Sequence, residues 1–452
     1  MATNMYLEGN YGPVTEEVEA TDLKVTGKIP KFLEGRYLRN GPNPLSADPE
    51  TYNWFGGDAM VHGIRLRDGN AEWYRNRVVR VGNAAEVLGA PDPGGPITEG
   101  MEGIAPNTNV IGINGRTFAI VEAGAKPVEI SYDLETMTRA DFGGGELGGL
   151  PNGYTAHPKV DPVSGERHAS SYFWGNPNKL EYTVVDADAA LTRYVSVDIP
   201  GNPMIHDMSI TETRAVFYDL ACVFDMERAM SDQFPYAWDD SYGCRLGVIS
   251  RIPGEDDVRW YDIPNCYVFH PMNAYDDGDR IVLDVVKHPK VFASHFDGPD
   301  EGPPHLWRWT IDPASGTVKE EQLSDVPVEF PRVDERLVGR PYRYGWVSGL
   351  TPPNSAGICD MGSTIRQFDA KTNDFASHDF GDGFATGEAV FVPTTPEADE
   401  TDGVVLSIVY DENTDRSQFV VLDAANIESD PLATVELPQR VPFGFHGNWI
   451  AD

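Results

Sequence analysis

His157-Pro-Lys-Val-Asp-Pro-Val-Ser-Gly-Glu-Arg-His-Ala-Ser-Ser-Tyr172 reads as a strand headed by a histidine, a tight polar turn and a second strand. The same cue recurs in the stretches from Asn109 to Val121, Met208 to Tyr218 and Asn273 to Leu283. Between them lies a second kind of hairpin with an aspartate just before its turn. Examples are Ser131-Tyr-Asp-Leu-Glu-Thr-Met137, Val185-Asp-Ala-Asp-Ala189, Thr310-Ile-Asp-Pro-Ala-Ser-Gly316, Phe368-Asp-Ala-Lys-Thr372 and Leu422-Asp-Ala-Ala425. One hairpin of each kind makes a four-stranded unit, and the unit returns every ~45 to 65 residues, the spacing of propeller blades with generous loops. Seven such units start near Gly35, Asn109, His157, His206, His270, Tyr342 and Glu388, and Val441 to Ile450 reads as a strand able to close the ring beside the first. The expected fold is all-β, a seven-bladed β-propeller. Residues 1–452 form it as a single domain, closed by pairing of N-terminal and C-terminal strands. A row of β-sandwiches is the competing reading, and it lacks the Ser/Gly/Pro linkers that would separate them. The one Gly- and Pro-rich piece, Gly89 to Gly103, has loop length. Long helical periodicity is missing, with Ala221 to Met230 the best short helix.

Of the 452 residues, 71 are acidic and 35 basic, a formal net charge of −36, while 40% are apolar and 11% aromatic. The apolar share is enough for a sizeable core and excludes disorder for most of the chain. The acidic excess excludes a nucleic-acid partner, because phosphate binding needs clustered Lys and Arg. Only 10 of the basic residues are Lys, so carboxylates should dominate the surface. That points to a salt-rich cytoplasm, as in a halophilic archaeon, where screening relieves the repulsion. The opening MATNMYLEGNYGPVTEE has no basic segment followed by an apolar run, and no stretch reaches the ~18 to 20 apolar residues of a spanning helix. Cys222, Cys244, Cys266 and Cys359 show no CxxC spacing and read as buried thiols.

Four of the ten histidines share a position. His157, His206, His270 and His446 each open or cap the first strand of a unit. In a propeller that strand lines the central channel, so equivalent positions on different blades converge on the axis. Four neutral nitrogen donors with open positions suit Fe, Cu, Ni or Zn. Without a thiolate or carboxylate in the set, a redox-active metal that binds a small gas fits better than structural zinc.

At these residues the chain resembles the carotenoid cleavage oxygenase family. The matching segments run almost end to end: Gly35-Arg-Tyr-Leu-Arg-Asn-Gly-Pro-Asn-Pro44, Trp54-Phe-Gly-Gly-Asp-Ala-Met-Val-His62, Thr155-Ala-His-Pro-Lys-Val-Asp161, Ile205-His-Asp-Met-Ser-Ile-Thr211, Tyr267-Val-Phe-His-Pro-Met-Asn-Ala-Tyr275, Glu329-Phe-Pro-Arg332, Gly387-Glu-Ala-Val-Phe-Val392 and Phe443-Gly-Phe-His446. The resemblance implies Fe(2+) held by the four histidines on the axis of a seven-bladed propeller, with loops capping one face. It implies three glutamates, Glu122, Glu329 and Glu388, each accepting the outer N–H of a ligand, and leaves His206 as the ligand without one. A carboxylate there fixes the tautomer and raises the ring's basicity. Thr108 matches a position that crowds a vacant coordination site in some relatives. The implied reaction is cleavage of a carbon–carbon double bond by O2 to two carbonyl products, with the substrate in an apolar tunnel. Phe55, Tyr154, Trp174, Phe269, Phe443 and Trp449 are its expected walls.

Stilbene-cleaving members resemble one another in a Lys directly before the first of these glutamates, and Val121 stands there instead. An apolar polyene or apocarotenoid is therefore the expected substrate, with a lignostilbene as the alternative. The Pro-Asp-Pro-Cys-Lys motif of the retinoid isomerohydrolase branch is absent. A propeller that keeps its metal only as a structural pin, and serves as a binding protein, is the rival of a different class. The stretch from Cys222 to Trp238 is the candidate apolar rim. Its acidic residues limit it to transient peripheral contact with a membrane, so a cytoplasmic protein is expected. Oligomeric state is not legible.

Overall fold

Turn chemistry sets the meander. Asn114 and Gly115 both adopt positive φ, 48° and 72°, the two-residue geometry that matches the twist of flanking strands, and they join Asn109–Ile113 to Arg116–Ile120. In the outer hairpins the recurrent aspartate ties its own turn. Asp312 Oδ1 accepts the Ala314 and Ser315 N–H groups, and Asp186 Oδ1 those of Asp188 and Ala190.

The computed structural model describes residues 4–231, 233–299, 301–355 and 357–452. Among them, seven antiparallel sheets of four to six strands form the blades, and Cys222–Phe224 pairs with Tyr236–Trp238 as a separate two-stranded flap. One edge strand of each sheet faces the axis, and these edges touch in succession. Lys159–Val160 meets Met208–Ile210, which meets Pro271–Asp277, then Val328–Val333, Val390–Pro393, Gly447–Ala451 and Asn109–Ile113. The first blade takes its innermost strand from the far end of the chain: Gly447–Ala451 pairs antiparallel with Gly35–Pro42. Val25–Gly27 reciprocates by pairing with Ala433–Glu436 in the seventh blade.

The core lies between blade faces. Tyr37, Ile64 and Tyr74 of the first blade pack against Leu406, Phe419 and Val421 of the seventh, each such side chain contributing about 1.5–3 kcal/mol on burial. All four cysteines are buried and free.

Three boundaries differ from the sequence reading, the first being the closing strand, which is Gly447–Ala451 in place of Val441 to Ile450. The sixth blade begins at Val328–Val333, and Tyr344–Leu350 is its second strand. The proline in Glu329-Phe-Pro-Arg332 argues against a strand, but a bulge between Glu329 and Arg332 accommodates it. The expected helix shrinks to Met226–Met230, following the strand Cys222–Phe224, and a second short helix, Gly82–Val87, carries no advance signal.

Candidate metal centre

Each of the four histidines stands one or two residues ahead of an innermost strand: His157 before Lys159–Val160, His206 before Met208–Ile210, His270 before Pro271–Asp277 and His446 before Gly447–Ala451. The blades therefore deliver four imidazoles to one point on the axis. All four are buried, and one nitrogen from each lies within 4.8 Å of the others. His206 Nε2 is 2.9 Å from His157 Nε2 and 3.3 Å from His270 Nε2. Adjacent nitrogens bound at about 2.1 Å to one metal stand about 3 Å apart, so the donor set fits a single cation. Burial pushes the His157 ring well below its usual pKa, with the neighbouring imidazoles adding to the effect, and brings His270 to about 4 against the opposing pull of Glu329. Both are neutral donors at neutral pH.

Three carboxylates orient three of the rings. Glu122 Oε1 lies 2.6 Å from His206 Nδ1, Glu329 Oε2 2.6 Å from His270 Nδ1, and Glu388 Oε1 2.9 Å from His446 Nδ1. Burial lowers the pKa of the His206 ring, but the Glu122 carboxylate outweighs it and holds the ring above its usual value. Burial likewise opposes ionisation of Glu388, yet Arg332 and His446 hold it down to about 2.

The histidine of the cluster without a glutamate is His157, not His206. Its Nδ1 faces Asp207 Oδ2 across 3.7 Å, too far for a hydrogen bond, and Asp207 is held by Lys159 at 2.8 Å. Motif order cannot reveal this pairing. Glu122 leaves the second strand of the second blade and reaches a histidine of the fourth. Ala123 and Phe330, each next to one of these glutamates, have φ of 64° and 53°, a strained conformation for residues with a side chain that re-aims the chain at the centre.

A cavity of about 490 Å³ lies over one side of the cluster and reaches His206, His270 and His446. Phe55, Trp174 and Phe269 line it, as does Thr108, which stands at the head of the second blade's innermost strand where four other blades carry histidine. Thr108 Oγ1 bonds Asn107 Oδ1 at 3.1 Å, and its carbonyl accepts the His446 N–H. Tyr154, Phe443 and Trp449 do not line this cavity. Tyr154 packs on Phe142 between blades, Phe443 lies one layer back against Tyr11, and Trp449 borders a different space. The aromatics missed are chiefly Tyr172, Phe234, Phe330 and Phe445. Two of them carried a signal, since Phe445 precedes His446 as Phe269 precedes His270, and Phe330 follows Glu329. Val121 also lines the cavity, and none of its described lining residues is Lys or Arg.

A second cavity, about 920 Å³, runs along the inner strands and reaches His157, His270 and His446. It is lined by charged groups, among them Lys159, Asp207 and Arg332. The histidine cluster thus lies between two spaces, and among the described lining residues only the second carries Lys and Arg.

A model of the retinal pigment epithelial membrane protein family matches residues 11–451. The chain belongs to this family. Among its relatives, the carotenoid cleavage oxygenase of Mycobacterium tuberculosis is 41% identical, covering 99% of this chain and 97% of that one. The lignostilbene dioxygenase of Pseudomonas brassicacearum superposes with a TM-score of 0.88 at 26% identity over the whole of both chains. Cobalt-substituted Synechocystis apocarotenoid oxygenase gives a TM-score of 0.85 at 25% identity, covering 97% of each chain. Family membership and the four-histidine cluster together imply a metal cofactor.

Proposed function

We propose that this member of the family is a non-haem Fe(II)-dependent dioxygenase that uses O2 to cleave a carbon–carbon double bond of an apolar carotenoid or apocarotenoid, giving two carbonyl products. The observation that carries this reading is a four-nitrogen cluster at the edge of an apolar cavity without a described cation in its wall. The four imidazoles would hold Fe(II), which would supply a redox-active centre suited to activating O2. The chain's own residues do the rest. Glu122, Glu329 and Glu388 fix the Nδ1–H tautomer of three ligands, so that each Nε2 lone pair is turned to the axis. Phe55, Trp174 and Phe269 exclude water and lay the flat unsaturated chain beside the cluster, while Thr108 narrows the space next to His446. No side-chain acid or base is required.

Val121 favours a neutral polyene over a phenolic stilbene, because a phenolate in this cavity would have no cation to pair with. The name of the Mycobacterium tuberculosis relative agrees with that substrate class, and the lignostilbene dioxygenase marks the second reading. The acidic surface suits a salt-rich cytoplasm. No helix of the described residues is long and apolar enough to cross a membrane. Met226 and Met230, exposed by 63% and 81% on the flap whose Phe234 and Tyr236 line the cavity, would make any peripheral contact; Asp232 of that segment lies outside the described residues.

Anaerobic reconstitution with Fe(II), followed by O2 and a panel of carotenoids, apocarotenals and hydroxystilbenes, tests the proposal through product masses. Aldehydes from polyenes support it. Absence of carbonyl products from every substrate, together with a His270→Ala variant that matches the wild type in iron content, removes it.

A further inference from the structure

The three glutamates are not equivalent beyond their histidines. The second oxygen of Glu122 has no hydrogen-bond partner. That of Glu329 lies 2.8 Å from His288 Nε2. Glu388 alone is paired with a permanent cation: its Oε2 accepts the Gly447 N–H at 2.8 Å and stands 3.2 Å from the Arg332 guanidinium. Among the described residues, Arg332 is the only Lys or Arg at ion-pair distance from any of the three.

We propose that Arg332 is a positioning residue for the metal centre, which draws negative charge away from His446 through Glu388 and so holds bound iron in the divalent state. The inference rests on the iron reading above. A carboxylate hydrogen-bonded to a ligand imidazole makes the ring a stronger donor, and stronger donors stabilise the higher oxidation state. A guanidinium on the same carboxylate opposes that. The opposition is strong here because Glu388 is only 2% exposed and a low dielectric enlarges Coulomb terms. The bulge after Glu329 brings Arg332 to this place. There it also binds the Gly447 carbonyl at 3.0 Å and, toward solvent, Glu335 at 2.8 Å. Glu335 is 52% exposed and sets a second negative charge against the guanidinium, on its other terminal nitrogen. Loss of Arg332 would therefore favour transfer of one electron from Fe(II) to dissolved O2, giving Fe(III) and free superoxide.

The test is a redox titration of the iron-loaded full chain, with Fe(III) followed by electron paramagnetic resonance and iron content measured in parallel. Arg332→Met should raise the ferric-to-ferrous ratio at a fixed potential at least tenfold, a fall of about 59 mV in midpoint for a one-electron couple. Arg332→Lys, which keeps the charge but loses the fork, should restore most of it. Glu335→Gln leaves Glu388 as the one carboxylate on the guanidinium and should move the midpoint the other way; this exposed change decides the matter if Arg332→Met does not fold. An Arg332→Met midpoint equal to wild type at equal iron content overturns the proposal, and so does a Lys variant shifted as far as Met or an unmoved Glu335→Gln. Failure of the wild-type chain to bind iron is a separate outcome, one that overturns the four-histidine reading itself.

Discussion

Glu122 Oε1 lies 2.6 Å from His206 Nδ1, joining the second blade to the fourth, while His157 on the blade between them has only Asp207 at 3.7 Å. Loss of the first contact should cost more than loss of the second. Glu122→Gln is expected to weaken metal binding 10- to 100-fold, roughly the usual range for such partners. Asp207→Asn should weaken it by no more than about threefold, since no direct bond is lost. Titration of both apoproteins with Co(II) checks the order, and a larger effect at Asp207 would reverse the assignment.

Val121 sets the polarity of the cavity wall next to Glu122. Val121→Lys should move the ratio of kcat/KM for a hydroxystilbene over that for an apocarotenal by about tenfold or more, the scale of one new charge-assisted hydrogen bond to the phenolate. Competition assays with both substrates present measure it. An unchanged ratio would separate substrate choice from this position.

Trp174 lines the cavity beside Val121 and Trp449 the second cavity, beside Lys159 and Arg332. Trp174→Ala should raise KM for a polyene severalfold with little change in iron content. Trp449→Ala should leave KM unaltered and lower thermal stability instead, because the ring packs on the core between the first and seventh blades. Steady-state kinetics and a melting curve on each variant distinguish the two roles.

His62 and His168 are buried away from the centre, bonded to Tyr74 Oη at 2.9 Å and Tyr182 Oη at 2.6 Å. Burial first, and nearby arginines second, lower each ring to about 3. Their unfolded counterparts take up protons below about pH 6.5, so the unfolded state gains as pH falls from 6.5 towards 3. At pH 5 each ring should cost about 2 kcal/mol of stability relative to neutral pH. Urea unfolding of the apoprotein at pH 7 and pH 5 measures the loss. In His168→Gln the difference between the two pH values should shrink by roughly that amount; an undiminished difference would place the acid sensitivity elsewhere.

The blades were readable because turn chemistry repeats. Asn114-Gly115 and the Asp312 turn each announce a hairpin from local sequence. The shared station of the four histidines was readable for the same reason, each lying just ahead of a strand that begins a unit. What lay beyond reach depended on contacts between blades. Nothing near Glu122 says that its carboxylate skips the third blade, and nothing near Tyr154 says that Phe142 covers it. Phe443 misled for a related reason: Val441 to Phe445 runs as irregular chain, not as a strand, so its side chains do not alternate between two faces. The start of the sixth blade was misjudged because a bulge holds a proline inside a strand.

Ring closure by Gly447–Ala451 against Gly35–Pro42 bears on the order of synthesis. His446 leaves the ribosome long after the other three histidines of the cluster, directly ahead of the strand that completes the first blade. A nascent chain can order its early blades as they emerge, yet it presents only three imidazoles until this last strand docks. The four-histidine cluster is therefore complete only after translation has passed His446, and under the proposed function a tightly held ion would report that the ring has shut.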